Sequence, residues 1–163
     1  MRTDFIIDIE DAHIYLAAPF FKKDQLEKVE QIESALSETM VSFYSPRSEG
    51  VIQTFSKEEK EARANYIYQR NIEEMDRANI MIALIDDFDT GTVFEMGYFH
   101  ATRLPVISVS GEGHGMNIML RNSVSAHCPR ISDLVNLLGH VKESGVFSSK
   151  ELSDFDYFEG DVF

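Results

Sequence analysis

Short apolar runs alternate along the chain with longer stretches in which apolar residues recur every three or four positions. The apolar runs lie at residues 13–18, 40–44, 80–85 and 106–110. Each is the length of a strand, and the run at 80–85 is apolar throughout, as in a parallel sheet buried on both faces. The periodic stretches between them predict amphipathic helices. Strands that alternate with helices indicate an α/β protein with a mainly parallel sheet in three layers.

Polar residues at the ends of the periodic stretches predict where the helices begin. Asp24 is placed to cap a helix that runs to about residue 38, and Ser132 one that runs to about residue 141. Ser56, with Glu59 three residues later, predicts a capping box for a long helix to about residue 78. Thr90 is expected to cap the helix that follows the strand at 80–85.

The helix predicted after Thr90 contains a carboxylate, Glu95, among apolar and aromatic neighbours. No Lys or Arg lies three or four residues away, so Glu95 must reach solvent, find a distant partner or have a raised pKa. Asp89 precedes it, at the carboxyl end of a strand, where open parallel sheets collect their ligands. Paired carboxylates suit displacement at the anomeric carbon of a sugar. The alternative is that these acids are solvated or cap the helix.

Four further residues are candidates for a binding site, each with a structural alternative. Asn71 lies on the long predicted helix and could be an exposed polar residue. Asn117 follows a glycine-rich loop and could cap a short helix instead of binding a ligand. Tyr15 and Phe21 could stack on a flat base or belong to the core.

Composition and charge restrict the class of partner. At 163 residues, the chain is expected to form a single domain over 1–163. A net charge of −13 argues against binding to nucleic acid or to an anionic membrane. The five His residues show no metal-ligand spacing and Cys128 stands alone, so neither a metal nor another cofactor is expected. No segment reads as a signal peptide or a membrane span, and a cytoplasmic location is expected.

Several segments, taken in order, carry a resemblance to a known family. They are 14–18 (Ile-Tyr-Leu-Ala-Ala), Asn71-Ile72, 78–81 (Ala-Asn-Ile-Met), 89–98 (Asp-Thr-Gly-Thr-Val-Phe-Glu-Met-Gly-Tyr), 117–119 (Asn-Ile-Met) and the final 158–163 (Phe-Glu-Gly-Asp-Val-Phe). Together they resemble the nucleoside 2-deoxyribosyltransferase family. The resemblance spans about 13–163, with residues 1–12 as an extension and 148–163 as a tail that closes the active site.

The resemblance implies a flavodoxin-like three-layer α/β/α sandwich with a mainly parallel five-stranded sheet. It implies an enzyme of nucleotide salvage that exchanges the base of 2′-deoxynucleosides, with slow hydrolysis as a side reaction. The partners would be a deoxynucleoside and a free purine or pyrimidine base. Homo-oligomers built from dimers, such as hexamers, would share their active sites between subunits.

The resemblance also implies a role for each matching residue. Glu95 would be the nucleophile that forms a deoxyribosyl ester, and Asp89 would contact and help to protonate the base. Tyr15 would help to orient the nucleophile or pack on the sugar, Asn117 would bind the 5′-hydroxyl across a subunit interface, and Phe163 would close the pocket. The remaining substrate-binding positions would be Phe21, Asn71 and Met119.

Two positions depart from the pattern of well-known members. Asn71 stands where those members have an Asp implicated in handling the base proton, and an amide cannot supply that proton. Phe163 stands where the final residue is often Tyr, and it lacks the hydroxyl that approaches the nucleophile. Both departures bear on the rate and on the range of bases.

Two other functions stay open at the level of the sequence. A 2′-deoxynucleoside 5′-monophosphate N-glycosidase would need a phosphate cradle, for which Lys22, Lys23, Arg47 and Arg121 are the available cations. A non-catalytic nucleoside- or nucleotide-binding module would be consistent with the departures at Asn71 and Phe163.

Overall fold

The computed structural model of the protein describes residues 4–50, 56–111, 115–158 and 160–163. Its strands are β1 (Ile6–Asp8), β2 (His13–Ala17), β3 (Ser42–Tyr44), β4 (Ile80–Leu84), β5 (Val106–Val109), β6 (Ala126–Cys128) and β7 (Val146–Ser148). Its α-helices are α1 (Lys23–Thr39), α2 (Lys57–Arg77), α3 (Thr90–Ala101), α4 (Ile118–Ser123), α5 (Ile131–Ser144) and α6 (Ser149–Asp154). Short 3₁₀ helices cover Pro46–Glu49 and Asp86–Phe88.

The central sheet has five parallel strands in the order β3-β2-β4-β5-β6. Counted within this sheet alone, the order is 2-1-3-4-5, which is the flavodoxin-like arrangement. The predicted α/β class and five-stranded sheet are therefore confirmed. The chain changes direction across the sheet between β2 and β4, so the crevice at their carboxyl ends is the expected place for a ligand.

Strand β4 shows why the sheet is covered on both faces. Its alternate side chains enter two separate apolar clusters, and its residues from Ile80 to Leu84 are all fully buried. One cluster packs the sheet against α1 and α5, with Val29, Ile32, Leu36, Leu134, Leu137 and Leu138. The other packs it against α2 and α3, with Met75, Met96 and Phe99. Two faces buried by helices give the three layers.

The helix starts follow the predictions only in part. Ser56 and Glu59 form the predicted capping box of α2. The prediction for Thr90 was wrong, because Asp89 has the non-helical backbone of an N-cap and its carboxylate accepts the Thr92 N–H at 2.9 Å. The predicted caps Asp24 and Ser132 were also wrong: Lys22 and Arg130 hold the N-cap positions in extended backbone, without a side-chain cap bond.

The two ends of the chain pair with each other outside the central sheet. Strand β1 lies antiparallel to β7, with Ile6 opposite Ser148. Residues of the predicted N-terminal extension are thus joined to the beginning of the predicted tail. A helix that the sequence pattern did not predict, α6, follows β7 within that tail. Within the described residues, no helix combines the length and apolar character needed to span a membrane.

Candidate active site

The turn after β4 brings α3 to the crevice through a strained backbone. Asp87 and Phe88 have positive φ angles of 61° and 47°, which non-glycine residues rarely adopt. Buried Asp86 anchors this turn, because its carboxylate accepts from Lys28 Nζ at 2.6 Å and from the Gly111 N–H at 2.8 Å. Asp86 and Asp87 therefore shape the turn, and Asp89 is the acid of this run that faces the crevice.

The hydroxyl of Tyr15, a fully buried residue of β2, donates to Glu95 Oε1 at 2.6 Å. Burial raises the pKa of Glu95 to about 7, and the charge of Asp89 acts in the same direction. The Tyr15 hydrogen bond opposes this by favouring the carboxylate, and so lowers the pKa of Glu95. Burial and the neighbouring Glu95 raise the pKa of Tyr15 far above its usual range, so Tyr15 remains a protonated donor.

Glu95 forms part of the wall of a cavity of about 270 Å³. The cavity lies beyond the carboxyl ends of β2 and β4, as the sheet order predicts. Its described lining comes from four parts of the chain: Ala18, Phe20, Phe21, Pro46, Gly50, Ile67, Asn71, Asp89, Gly91, Thr92 and Glu95. Aromatic and acidic groups thus line one space, whose volume is close to the lower end of the range for small-ligand pockets.

Asp89 and Asn71 both line the cavity and both have a structural partner. Asp89 Oδ2 accepts from Thr92, from its N–H at 2.9 Å and from its Oγ1 at 3.2 Å. Asn71 Oδ1 accepts the hydroxyl of Tyr44 at 3.1 Å. The ring of Tyr44 lies 5.8 Å from that of Tyr15, so one tyrosine pair positions both Glu95 and Asn71.

The other three predicted site residues lie elsewhere in the chain. Asn117, Met119 and Phe163 line a second, largely apolar cavity of about 320 Å³, together with Phe88, Val93 and Leu120. Asn117 caps α4, since its Oδ1 accepts the Met119 N–H at 2.8 Å. The final residues are held beside it, because the Ile118 N–H donates to a main-chain oxygen of Phe163 at 2.9 Å.

The structure therefore divides the predicted site residues into two groups. Glu95, Asp89, Phe21 and Asn71 line the first cavity, which we call the Glu95 cavity, and Tyr15 contacts it through its hydrogen bond to Glu95. Asn117, Met119 and Phe163 form the second group.

Sequence reasoning missed Tyr44, which orients Asn71 from the last position of β3. The parallel pairing of Tyr15 with Tyr44 is the signal that would have revealed it, and that pairing depends on the strand order.

Two further observations concern metal and thiol chemistry. In the described part of the chain, no group of three or more His, Cys, Asp or Glu side chains is placed to hold a metal ion. Cys128 is fully buried, and burial raises the pKa of its thiol to about 12, so it packs as a small apolar residue.

Comparisons with known proteins agree with the fold. A family model described as nucleoside 2-deoxyribosyltransferase matches residues 14–144. The solved structure of a 2-deoxyribosyltransferase from Bacillus psychrosaccharolyticus, described as a biocatalyst for the synthesis of antiviral and antitumoral nucleosides, has a TM-score of 0.67. It is 30% identical in sequence, over 77% of this chain and 91% of its own. An uncharacterised protein of Ureaplasma parvum serovar 3 is 26% identical over an alignment of 149 residues, which covers 78% of this chain and 92% of that protein.

Proposed function

The chain belongs to the nucleoside 2-deoxyribosyltransferase family, and on this premise we propose that it exchanges the base of 2′-deoxynucleosides through a covalent ester on Glu95. The observation that carries the proposal is the position of the Glu95 carboxylate. It lies in the wall of a cavity of about 270 Å³, and a fully buried tyrosine holds one of its oxygens at 2.6 Å. A nucleophile needs this combination of fixed orientation and reduced solvation.

In the first step, the bond between C1′ and the base nitrogen breaks as a bond forms between C1′ and Glu95. Tyr15 binds Oε1, so Oε2 is the oxygen we assign to the attack. Deoxyribose lacks the electron-withdrawing 2′-hydroxyl, and C1′ readily gains oxocarbenium character that the carboxylate stabilises. The departing base takes the electron pair of the broken bond and needs a proton, which we assign to Asp89 because it faces the same cavity.

In the second step, a nitrogen of another base attacks C1′ and gives up its proton to the Asp89 carboxylate left by the first step, while the Glu95 carboxylate leaves. Two displacements at one carbon return the original configuration. Water competes with the incoming base, and its attack gives the free sugar as a side product. Phe20 and Phe21, whose rings stack at 5.0 Å, form an apolar side of the cavity and favour transfer by limiting access of water.

We further propose that a second copy of the chain completes each site in a dimer-based homo-oligomer. Asn117, Met119 and Phe163 are separated from Glu95 within one chain, yet they line a cavity of their own. Met119 and Phe163 are 75% and 66% exposed, which is unusual for large apolar side chains grouped at one place. Burial against a second copy would bring this group to the partner's substrate.

The decisive experiment incubates the protein with deoxyinosine and adenine and follows deoxyadenosine by chromatography. We expect the wild-type protein to form deoxyadenosine, Glu95→Ala to form none, and the exposed control Glu143→Ala to match the wild type. Exchange by Glu95→Ala at the wild-type rate would discard the assignment. Absence of exchange by a folded wild-type protein would favour a binding module.

Shared sites have a separate test in subunit mixing. Glu95→Ala and Asn117→Ala each remove one of the two groups, and co-refolded mixtures contain some sites with both groups intact. Activity that reappears in the mixture supports completion by a second copy, and its absence contradicts it.

The phosphate-dependent alternative gains no support from the described residues. None of the Lys or Arg side chains in this part of the chain lines the Glu95 cavity. The four cations available for a cradle are paired with acids, Lys22 with Asp87, Lys23 with Glu27, Arg47 with Glu33 and Arg121 with Asp156. Comparing deoxyadenosine with its 5′-monophosphate as the donor tests this directly, and we expect the unphosphorylated nucleoside to be preferred.

A further inference from the structure

The side chain of Gln25, in the first turn of α1, joins two loops that form different walls of the Glu95 cavity. Its Oε1 accepts the N–H groups of Phe21 and Lys22 at 3.0 and 3.1 Å. Its Nε2 donates to Asp87 Oδ2 at 2.9 Å. Gln25 is 4% exposed, and both ends of its amide are therefore used inside the protein.

Helix capping explains only half of this arrangement. The bond to the Lys22 N–H is the contribution that Glu or Gln makes at the third helical position of a capping box. A Glu there would accept the same N–H and would also favour the positive end of the helix. Only an amide can, in addition, donate to the Asp87 carboxylate, and this second bond leads out of the helix toward the turn after β4.

The two loops joined by Gln25 carry the groups that we assign to water exclusion and to chemistry. On one side, Phe21 lines the cavity. On the other, Asp87 has a left-handed backbone, with φ 61°, two residues before Asp89. Lys22 strengthens the connection, since its Nζ lies 3.0 Å from Asp87 Oδ2.

We propose that Gln25 is a positioning residue that fixes the aromatic loop of the cavity against the turn leading to Asp89 and Glu95. Gln25 does not line the cavity itself, so it acts through Phe21 and Asp87. The proposal rests on the function proposed above. When this connection is broken, the aromatic loop moves away from the turn, the cavity admits water, and hydrolysis gains on transfer.

Exchanging the polarity of the Gln25–Asp87 pair tests the proposal. Gln25→Glu keeps the oxygens that accept from Phe21 and Lys22 but sets a carboxylate against Asp87. We expect it to lower kcat/KM for base exchange roughly 10- to 100-fold, because small displacements in a site are costly. It should also raise the ratio of hydrolysis to transfer, which a loss of folded protein alone would not change.

The double variant Gln25→Glu/Asp87→Asn restores a donor opposite an acceptor. Asn tolerates the left-handed backbone at this position, so the turn is preserved. We expect the double variant and Asp87→Asn alone to stay within about threefold of the wild type in rate and in partition ratio, as a coupled pair requires. A double variant as impaired as Gln25→Glu would overturn the proposal.

Amide hydrogen exchange separates this proposal from the proposed function, since it needs no substrate. Repulsion between the new carboxylate and Asp87 should displace the side chain at position 25, so the N–H groups of Phe21 and Lys22 should exchange about tenfold faster in Gln25→Glu and return to wild-type protection in the double variant. Unchanged exchange would refute the connection even if the enzyme transfers deoxyribose. Normal protection in a wild-type protein without transferase activity would refute the function instead. If Gln25→Glu does not fold, Asp87→Gly removes the acceptor with a compatible backbone, and the same rise in the ratio of hydrolysis to transfer is expected of it.

Discussion

Replacing the carboxylate of Glu95 by an amide should abolish base exchange and at the same time stabilise the fold above neutral pH. The pKa of Glu95 is raised from 4.5 to about 7, chiefly by burial. An ionised Glu95 is therefore less stable in the folded protein than in water. Glu95→Gln has a similar shape, can still accept the Tyr15 hydroxyl and carries no charge to desolvate.

The sign and size of the effect follow from proton linkage. Between pH 4.5 and about 7 the folded state holds a proton on Glu95 that the unfolded state has released. The free energy of unfolding therefore falls as pH rises through this window. The gap between the pKa values of Glu95 in the folded and unfolded states lowers the free energy of unfolding of the wild type by about 3 kcal/mol at pH 8 and by about 1 kcal/mol at pH 5. For a domain of this size, about 3 kcal/mol corresponds to a rise of roughly 6–12 °C in Tm.

Urea unfolding of wild type and Glu95→Gln at pH 5 and pH 8, at one protein concentration, measures the difference. Other titrating groups are common to both proteins and cancel in the comparison. Glu143→Gln, an exposed site on α5, is the matched control and should change stability by no more than about 0.5 kcal/mol at either pH. The reasoning would be refuted if Glu95→Gln raised the free energy of unfolding equally at both pH values, or did not raise it at pH 8. Either result would show that an ionised Glu95 does not destabilise the folded protein through its desolvation.

Three further predictions concern the rate. Wild-type kcat/KM should rise with pH between about 6 and 7 as Glu95 ionises; a profile that is flat over this range would contradict this. Tyr15→Phe should lower kcat/KM about tenfold and move the midpoint of that profile to higher pH. The hydrogen bond from Tyr15 lowers the pKa of Glu95, so its loss lets that pKa rise. An unmoved midpoint would count against a role for Tyr15 in setting the pKa of the nucleophile. Asn71→Asp should speed release of the base at least about tenfold in single-turnover mixing, by supplying a second acid beside Tyr44; a slower release would show that the amide serves the leaving base better.

The parts of the fold that could be predicted are those in which local pattern and tertiary environment agree. The apolar run at β4 is buried on both faces, and the capping box at Ser56 begins α2 as expected. Glu95 could be singled out from the sequence because a carboxylate without a local partner on an apolar helix requires an explanation.

The parts that could not be predicted depend on contacts between distant residues. Strand β6 has only three residues, too few to show a periodicity, and exists because it pairs with β5. The pairing of β1 with β7 joins segments from the two ends of the sequence. Lys22 occupies the N-cap position of α1, although lysine is a poor N-cap residue, because the Gln25 side chain accepts its N–H. Tyr44 and Gln25 gain their roles only through the strand order, which no local pattern contains.

Helix α3 contributes side chains to both cavities, and its geometry bears on the proposal that a second copy of the chain completes each site. Thr92 and Glu95, three residues apart, share the helix face that lines the Glu95 cavity. Val93, rotated by about 100° from Thr92, lines the second cavity with Asn117 and Phe163. The second group therefore lies against a different face of α3 from the one that carries Glu95. If both groups contact one substrate, we expect the second group to come from another copy of the chain, and dissociation of the proposed oligomer should abolish catalysis without disturbing the hydrogen bond between Tyr15 and Glu95.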